Sequence, residues 1–160
     1  MSNEGIHRFT PAEMQRRMRA IEAMMEREGV DALLMFGDAG SRRHNQSNIH
    51  YISQVAPYHE SYALVQPGQA PLLWITHHNH YASAKEVSSL EDVRRISRKP
   101  HVELIAELRA RKLDKARIGL IGPFFYQEID AVRQALPDNT WRDLTYYFKL
   151  IRSRKSAEEL

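Results

Sequence analysis

The chain has 160 residues, of which 42% are hydrophobic and 27% are charged, as is typical of one globular domain with a buried core. Its 23 basic and 20 acidic residues are intermixed, without the basic stripe that nucleic-acid binding requires. There is no cysteine, which excludes disulfides and thiolate chemistry, and no apolar run approaches the roughly 20 residues that span a bilayer. We therefore expect a cytoplasmic protein that binds neither nucleic acid nor a membrane.

The first predicted element is a long amphipathic helix. Thr10 and Pro11 are typical of a helix start, and Glu13 would complete a Thr-x-x-Glu capping box. Gly29 suits the left-handed position that commonly ends a helix. Apolar residues spaced by four, three and four form one stripe: Met14, Met18, Ile21 and Met25. This pattern predicts a helix that packs one face against a sheet.

A strand and a short helical turn are predicted next. Residues 30–36 are an almost unbroken apolar run, which is typical of a strand covered on both faces. The polar stretch 37–47 is predicted to be a loop. Apolar residues then return every third position over 48–55, which favours a helical turn capped by Asn48.

The rest of the chain alternates between predicted strands and helices. Residues 62–65 and 72–76 flank a Pro-Gly turn and predict an antiparallel hairpin. The later predicted elements are a helical turn at 79–87, a strand at 93–96, a helix from Pro100 with Val102, Ile105 and Leu108 on one face, a strand at 118–121, a helix lined by Phe125, Ile129, Val132 and Leu136, and a strand at 141–144. Residues 145–154 are expected to lead out of the domain. This order predicts a three-layer α/β domain, a mixed sheet flanked by helices.

Two segments carry motifs that can be compared with a known family. The first combines Asp31-Ala32-Leu33-Leu34 with Asn48-Ile49-His50-Tyr51-Ile52-Ser53, and the second is the tail at 150–160. Together they resemble the N-terminal domain of the creatinase/Xaa-Pro peptidase family, which includes prolidases, aminopeptidase P and creatinase. The tail is similar to the R-x-x-K-[ST]-x-x-E-[LI] junction at which the catalytic domain of that family begins. Gln54 departs from the pattern, because the family commonly has Gly there.

The resemblance implies a domain organisation. Residues 1–8 would be a flexible leader, 9–150 a creatinase-like N-terminal domain, and 151–160 a linker into an absent C-terminal catalytic domain. A helix capped by Ser156 and Glu159 and ending at Leu160 would be too short to be stable, which also predicts a continuing chain.

The resemblance also implies cofactors and partners. The catalytic domain of the family binds a pair of divalent metal ions, commonly manganese, cobalt or zinc, through two Asp, one His and two Glu. That motif set is absent from these 160 residues, so we expect no catalytic residue and no cofactor in this segment. The expected partners are its own C-terminal catalytic domain, a homodimer partner, and a small peptide or amide substrate.

Residues around the Asn-Ile-His-Tyr motif are candidate substrate contacts. In the family this region reaches towards an active site, sometimes that of the neighbouring subunit. The resemblance places His50 where aminopeptidase P-like relatives have an aromatic residue near the substrate. It places 59–62 near the region that holds the substrate carboxylate in creatinase-like relatives. The residues expected to contact substrate are His50, Tyr58, His59 and Tyr62. The alternative is that Tyr51 and Ile52 belong to the core and that the histidines, including His44, are simply exposed.

The densest group of potential metal ligands is the His77-His78-Asn79-His80 tract. Neutral imidazoles bind zinc, copper and nickel, and His78 and His80 would share a face if the tract continued a strand. No cysteine or His-Glu-x-x-His motif accompanies them, which favours an exposed strand end without a metal. The alternative is a stand-alone small-molecule or metal-binding α/β module that uses His77, His78 and His80. A third hypothesis is the N-terminal domain of a creatinase- or ectoine-hydrolase-type amide hydrolase.

Overall fold

The computed structural model describes residues 8–39 and 45–160. The expected leader, except for its last residue, and His44 lie outside the described residues. The elements are α1 (Pro11–Glu28), β1 (Ala32–Gly37), α2 (Gln46–Ser53), β2 (Ser61–Val65), β3 (Leu72–Ile75), α3 (His78–Val87), β4 (Asp92–Arg95), α4 (Pro100–Ala110), β5 (Arg117–Ile121), α5 (Tyr126–Ala135), β6 (Thr140–Asp143), α6 (Thr145–Ser153) and a 3-10 turn (Ala157–Glu159). Within these ranges, no helix has the length and apolar character needed to cross a membrane.

The strands form one mixed sheet in the order β4-β3-β2-β1-β5-β6. Strand β2 runs antiparallel to β1 and β3, so the predicted β2–β3 hairpin is confirmed, and its register places Leu64 opposite Leu72. The other neighbouring pairs, β1–β5, β3–β4 and β5–β6, are parallel. Every residue of β1 is buried, which agrees with the unbroken apolar run in its sequence.

Helices cover both faces of this sheet and confirm the three-layer α/β prediction. The face covered by α1, α2, α3 and α6, here called the α1 face, includes Met35, Ala63 and Ile75. The face covered by α4 and α5, here called the α4 face, includes Phe36 and Tyr62. Successive side chains of β1 and β2 therefore belong to opposite layers of the core, as strand geometry requires.

The predictions for the buried face of α4 and for residues 145–154 are wrong. Helix α4 buries Leu104 and Leu108, whereas Val102, expected on the buried face, is 54% exposed. Residues 145–154 do not simply leave the domain, because α6 forms there and buries Phe148 against the α1 face. The apolar spacing of Leu144, Phe148 and Ile151 was the available signal for this helix.

Asn48 does not cap α2, which begins two residues earlier at Gln46. Its side chain is buried inside the fold and bonds in two directions. The amide nitrogen donates to the Phe36 carbonyl at 3.4 Å, and the amide oxygen accepts from Arg152 Nη1 at 2.5 Å. Asn48 thus connects the end of β1 to α6.

The start of α1 is capped only partly as predicted. The Thr10 hydroxyl accepts a hydrogen bond from the Glu13 amide at 3.2 Å. The Thr10 amide, however, donates to Glu158 Oε2 at 3.0 Å rather than to Glu13. In the tail, Glu159 accepts from the Ser156 amide at 3.0 Å, so the predicted contact between these two residues is present.

Candidate functional site

The β2–β3 pairing brings three histidines together at one end of the sheet. Ser61 lies opposite Ile75, so the residues before β2 and after β3 share an edge. His59 precedes β2, while His77 follows β3 and directly precedes α3. The first turn of α3, in which the His80 amide donates to the His77 carbonyl at 3.0 Å, carries His80 to the same place. These side chains line a pocket of about 120 Å³.

The histidines have the arrangement of potential metal ligands. The candidate ligand nitrogens of His59, His77 and His80 all lie within 4.8 Å of one another. The His59 and His77 rings are stacked with centroids 4.5 Å apart, and His80 is 5.4 Å from His59 and 5.3 Å from His77. Among the described residues, this is the only such group of three or more His, Cys, Asp or Glu side chains. It is called the His59 cluster below.

The sequence found only part of this cluster. The condition under which His78 and His80 would share a strand face is not met, because α3 begins at His78. His78 stacks on His77 at 5.2 Å but is not a member of the cluster, and His59 takes its place. His59 is 18 positions from His77 in the chain, so only the strand register could have revealed this neighbour.

The environment of His77 favours a neutral imidazole. Partial burial, followed by the nearby imidazoles of His59, His78 and His80, lowers the pKa of His77, and Glu60 opposes this effect. The Nδ1 atom of His77 is buried and finds no hydrogen-bond partner among the described residues. A neutral imidazole with a free nitrogen is the form that binds a metal.

Tyr58 lies at the edge of the His59 cluster. Its side chain is 72% exposed, and its ring stacks on His80 with a centroid distance of 6.3 Å. The ring also meets His59 edge-on at 6.1 Å. The structure therefore brings together Tyr58 and His59, two of the expected substrate contacts, with the ligand candidates His77 and His80.

His50 lies in a different pocket, between α2 and the tail of the chain. Arg17, Arg152 and Glu159 line this second pocket, called the His50 pocket. Burial, followed by the positive charge of Arg17, lowers the pKa of His50. The His50 ring lies 6.3 Å from that of Phe9, centroid to centroid, in an edge-on contact.

Tyr62 is not available to a substrate in this structure. Its side chain is completely buried on the α4 face, and its hydroxyl donates to Glu128 Oε2 at 2.5 Å. Burial, reinforced by this carboxylate, raises the pKa of the phenol. The alternation of side chains along β2 was the missed signal, because it directs Tyr62 away from the layer that contains Ala63.

Sequence reasoning also missed a buried ionic network beside the His50 pocket. Arg17 is only 1% exposed, and its guanidinium lies 2.7 Å from Glu13 Oε1 and 3.0 Å from Glu159 Oε1. It stacks over the rings of Phe9 and Tyr51, with its central carbon 3.9 and 4.7 Å from their centroids. The signal was the four-residue spacing of Glu13 and Arg17 on the inner face of α1.

Solved structures with the same architecture define the class of domain. An Xaa-Pro aminopeptidase (aminopeptidase P) from Streptococcus thermophilus has a TM-score of 0.67 and 21% sequence identity to this chain. The match covers 87% of this chain and 98% of the Streptococcus chain. The prolidase from Pyrococcus horikoshii matches 90% of this chain, with a TM-score of 0.67 and 20% identity. The X-Pro aminopeptidase from Thermotoga maritima matches 88% of it, with a TM-score of 0.68 and 21% identity. At these identities the likeness is one of fold.

The family follows from the sequence itself. The model of the creatinase/prolidase N-terminal domain matches residues 17–154, and the chain belongs to that family. The matched region covers only 37% of the Pyrococcus prolidase and 36% of the Thermotoga enzyme. No curated protein matches the sequence.

Proposed function

We propose that this chain is the non-catalytic N-terminal domain of a cytoplasmic metallohydrolase that resembles an Xaa-Pro dipeptidase or aminopeptidase P. In that enzyme it would contribute to the homodimer interface and help to recognise substrate at the active site of the partner subunit. The observation that carries the proposal is the family match over residues 17–154. It is supported by solved relatives in which this fold is little more than a third of the chain.

We assign the catalytic chemistry to the C-terminal domain of the proposed enzyme. A pair of divalent ions, manganese, cobalt or zinc, would be bound there and would supply an activated water. The His59 cluster does not fit such a pair, since it contains no carboxylate. The contribution of this domain to the rate would come from positioning the substrate and excluding water.

The His50 pocket favours a role at the boundary with a following domain. His50 shares this pocket with Arg152 at the end of α6 and with Lys155 and Leu160 of the tail that follows it. A domain attached after Leu160 would begin close to His50. Tyr58 and His59 offer a second, exposed surface for a peptide or amide substrate.

The test compares the full-length enzyme with a form that lacks residues 1–150. The gene should encode Asp, Asp, His, Glu and Glu, in that order, downstream of Leu160. We expect the deletion to alter oligomeric state and substrate preference while the metal content is retained. An intact dimer with unchanged preference would contradict the proposal. A panel of Xaa-Pro dipeptides, longer Xaa-Pro peptides, creatine and ectoine-type amides would identify the substrate class.

A point variant refines this test. His50→Ala in the full-length enzyme should raise KM more than it lowers kcat, because His50 would contact substrate rather than reacting atoms. His101→Ala, on the opposite side of the sheet in α4, is the matched control and should leave both parameters unchanged. Equal kinetics for the two variants would remove His50 from the substrate site.

A further inference from the structure

We propose that His59, His77 and His80 form a binding site for a single late first-row divalent metal ion, with zinc as the probe. The site is separate from the proposed catalytic metal pair and does not depend on the proposed function. It rests on the geometry of the three imidazoles, on the unpaired nitrogen of His77 and on the nature of the donor atoms.

Only a small movement of the three imidazole rings is needed to bring their nitrogens to metal-binding distances. Zinc binds histidine nitrogen at roughly 2.0–2.1 Å, which places tetrahedral donors roughly 3.3 Å apart. The candidate nitrogens already lie within 4.8 Å of one another. The backbone is fixed by the pairing of Ser61 with Ile75 and by a hydrogen bond of 2.6 Å from the Thr76 hydroxyl to the Glu60 carbonyl. Small side-chain rotations are therefore sufficient to form the site.

The polar atoms of the cluster are incompletely satisfied without an ion. Buried polar atoms in folded proteins almost always have a partner, yet Nδ1 of His77 finds none among the described residues. A metal ion coordinated by Nδ1 would give this buried atom the partner that it lacks. The ring of His59, stacked on that of His77 with centroids 4.5 Å apart, lies close enough to bind the same ion.

The chemical nature of the three ligands, all of them imidazole nitrogens, determines which metal ions the site would favour. Three imidazoles without a carboxylate suit zinc, copper or nickel, whereas magnesium, calcium and manganese prefer oxygen ligands. Three protein ligands leave one tetrahedral position for water or a small ligand. The pocket of about 120 Å³ provides space at that position, and the exposed ring of Tyr58 lies beside it.

The experiment is a zinc titration of the 160-residue chain without an affinity tag. We expect one zinc ion per chain with a dissociation constant in the micromolar range or lower. His59→Ala, His77→Ala and His80→Ala should each weaken binding by at least about tenfold, as loss of one of three ligands does. The matched control is His78→Ala, an exposed neighbour outside the cluster, which should bind within about twofold of wild type.

A thermal-shift measurement separates loss of binding from loss of folding. His59 and His80 are exposed, so their alanine variants should melt at the wild-type temperature without metal. At a zinc concentration near the wild-type dissociation constant, zinc should raise the melting temperature of the wild type and of His78→Ala more than that of the three cluster variants. The absence of saturable micromolar binding, or an equal loss of affinity in His78→Ala, would overturn the proposal. Neither result would bear on the peptidase proposal, which is tested on the full-length enzyme.

Discussion

Gln54 shows how a single residue replaces a glycine at a position that favours one. It follows α2 with a φ angle of 64°, in the left-handed region, which costs a non-glycine residue roughly 1 kcal/mol. Its side chain provides compensation, because Oε1 accepts a hydrogen bond of 2.6 Å from the Phe9 amide. The departure from the family pattern therefore links the end of α2 to the segment before α1.

This balance predicts different outcomes for two substitutions. Gln54→Ala loses the hydrogen bond and keeps the backbone strain, so the free energy of unfolding should fall by about 1–2 kcal/mol. Gln54→Gly loses the same bond but relieves the strain, and should be more stable than the alanine variant by roughly 1 kcal/mol. Urea denaturation of the three proteins measures both differences. Equal stability of the two variants would mean that the left-handed backbone carries no cost.

Single residues also show where sequence reasoning reaches its limit. His77 and His80 were identifiable because they are close in the chain, whereas His59 joins them only through the pairing of β2 with β3. Tyr62 could have been assigned to the core from the alternation along its strand. The His50 pocket depends on a tail that folds back, which no local pattern indicates.

At the scale of elements, the turn after β5 depends on the close approach of the Gly122 backbone to the backbone of Phe36 in β1. Gly122 has a φ angle of 98°, and a Cβ atom there would lie 2.5 Å from the Phe36 carbonyl oxygen and 3.3 Å from Asn48 Nδ2. The Gly122 amide donates to the Thr145 hydroxyl at 2.9 Å, which places the start of α6. Gly68, in the β2–β3 turn, is also left-handed at 75°, but has open space around it.

These two glycines allow strain to be separated from steric overlap. Gly68→Ala should cost about 1 kcal/mol, the price of the left-handed conformation alone. Gly122→Ala should cost at least about 3 kcal/mol, because the added methyl group meets a backbone atom that has no freedom to rotate away. Chemical denaturation of both variants gives the comparison. Similar losses would show that β1 and the end of β5 separate easily.

Sequence reasoning was most successful for elements with a clear local pattern, either an amphipathic period or an unbroken apolar run. Helix α1 and strand β1 combine a clear pattern with recognisable ends, at Thr10, Gly29 and Gly37. Helix α6 was missed although it buries Phe148, because it precedes a basic tail that resembles a linker. Its helical state is stabilised by packing against β5 and α1, and tertiary contacts of this kind override composition.

At the scale of the whole molecule, the tail is held against the first helix. The Thr10 hydroxyl donates to Glu158 Oε1 at 2.5 Å, and Arg16 lies 3.3 Å from Glu159 Oε2. Arg17 also donates to the Tyr51 carbonyl at 3.2 Å and so connects α1 to α2. The buried guanidinium of Arg17 therefore holds both α2 and Glu159 of the tail against α1.

The loss of stability at acidic pH should depend on the ion pairs that Glu13 forms with Arg16 and Arg17. Hydrogen bonds from Arg16, and then from Arg17, lower the pKa of Glu13 from 4.5 to about 2. A carboxyl group with a lowered folded-state pKa stabilises the protein above pH 4.5, and this contribution is lost as the pH falls from 4.5 towards 2. Glu13→Gln should therefore lower the free energy of unfolding at neutral pH by about 3 kcal/mol, since Arg17 keeps its buried charge and loses a partner.

The same variant should flatten the dependence of stability on pH between 4.5 and 2, the interval in which Glu13 takes up its proton. The matched control is Glu22→Gln, at an exposed position of the same helix, which should leave both the neutral-pH stability and the slope unchanged. Denaturation at a series of pH values measures both quantities. Parallel curves for Glu13→Gln and wild type would assign the acid sensitivity to other carboxyl groups. A loss confined to Glu13→Gln would show that the ion pairs of Glu13 with Arg16 and Arg17 set the acid limit of the fold.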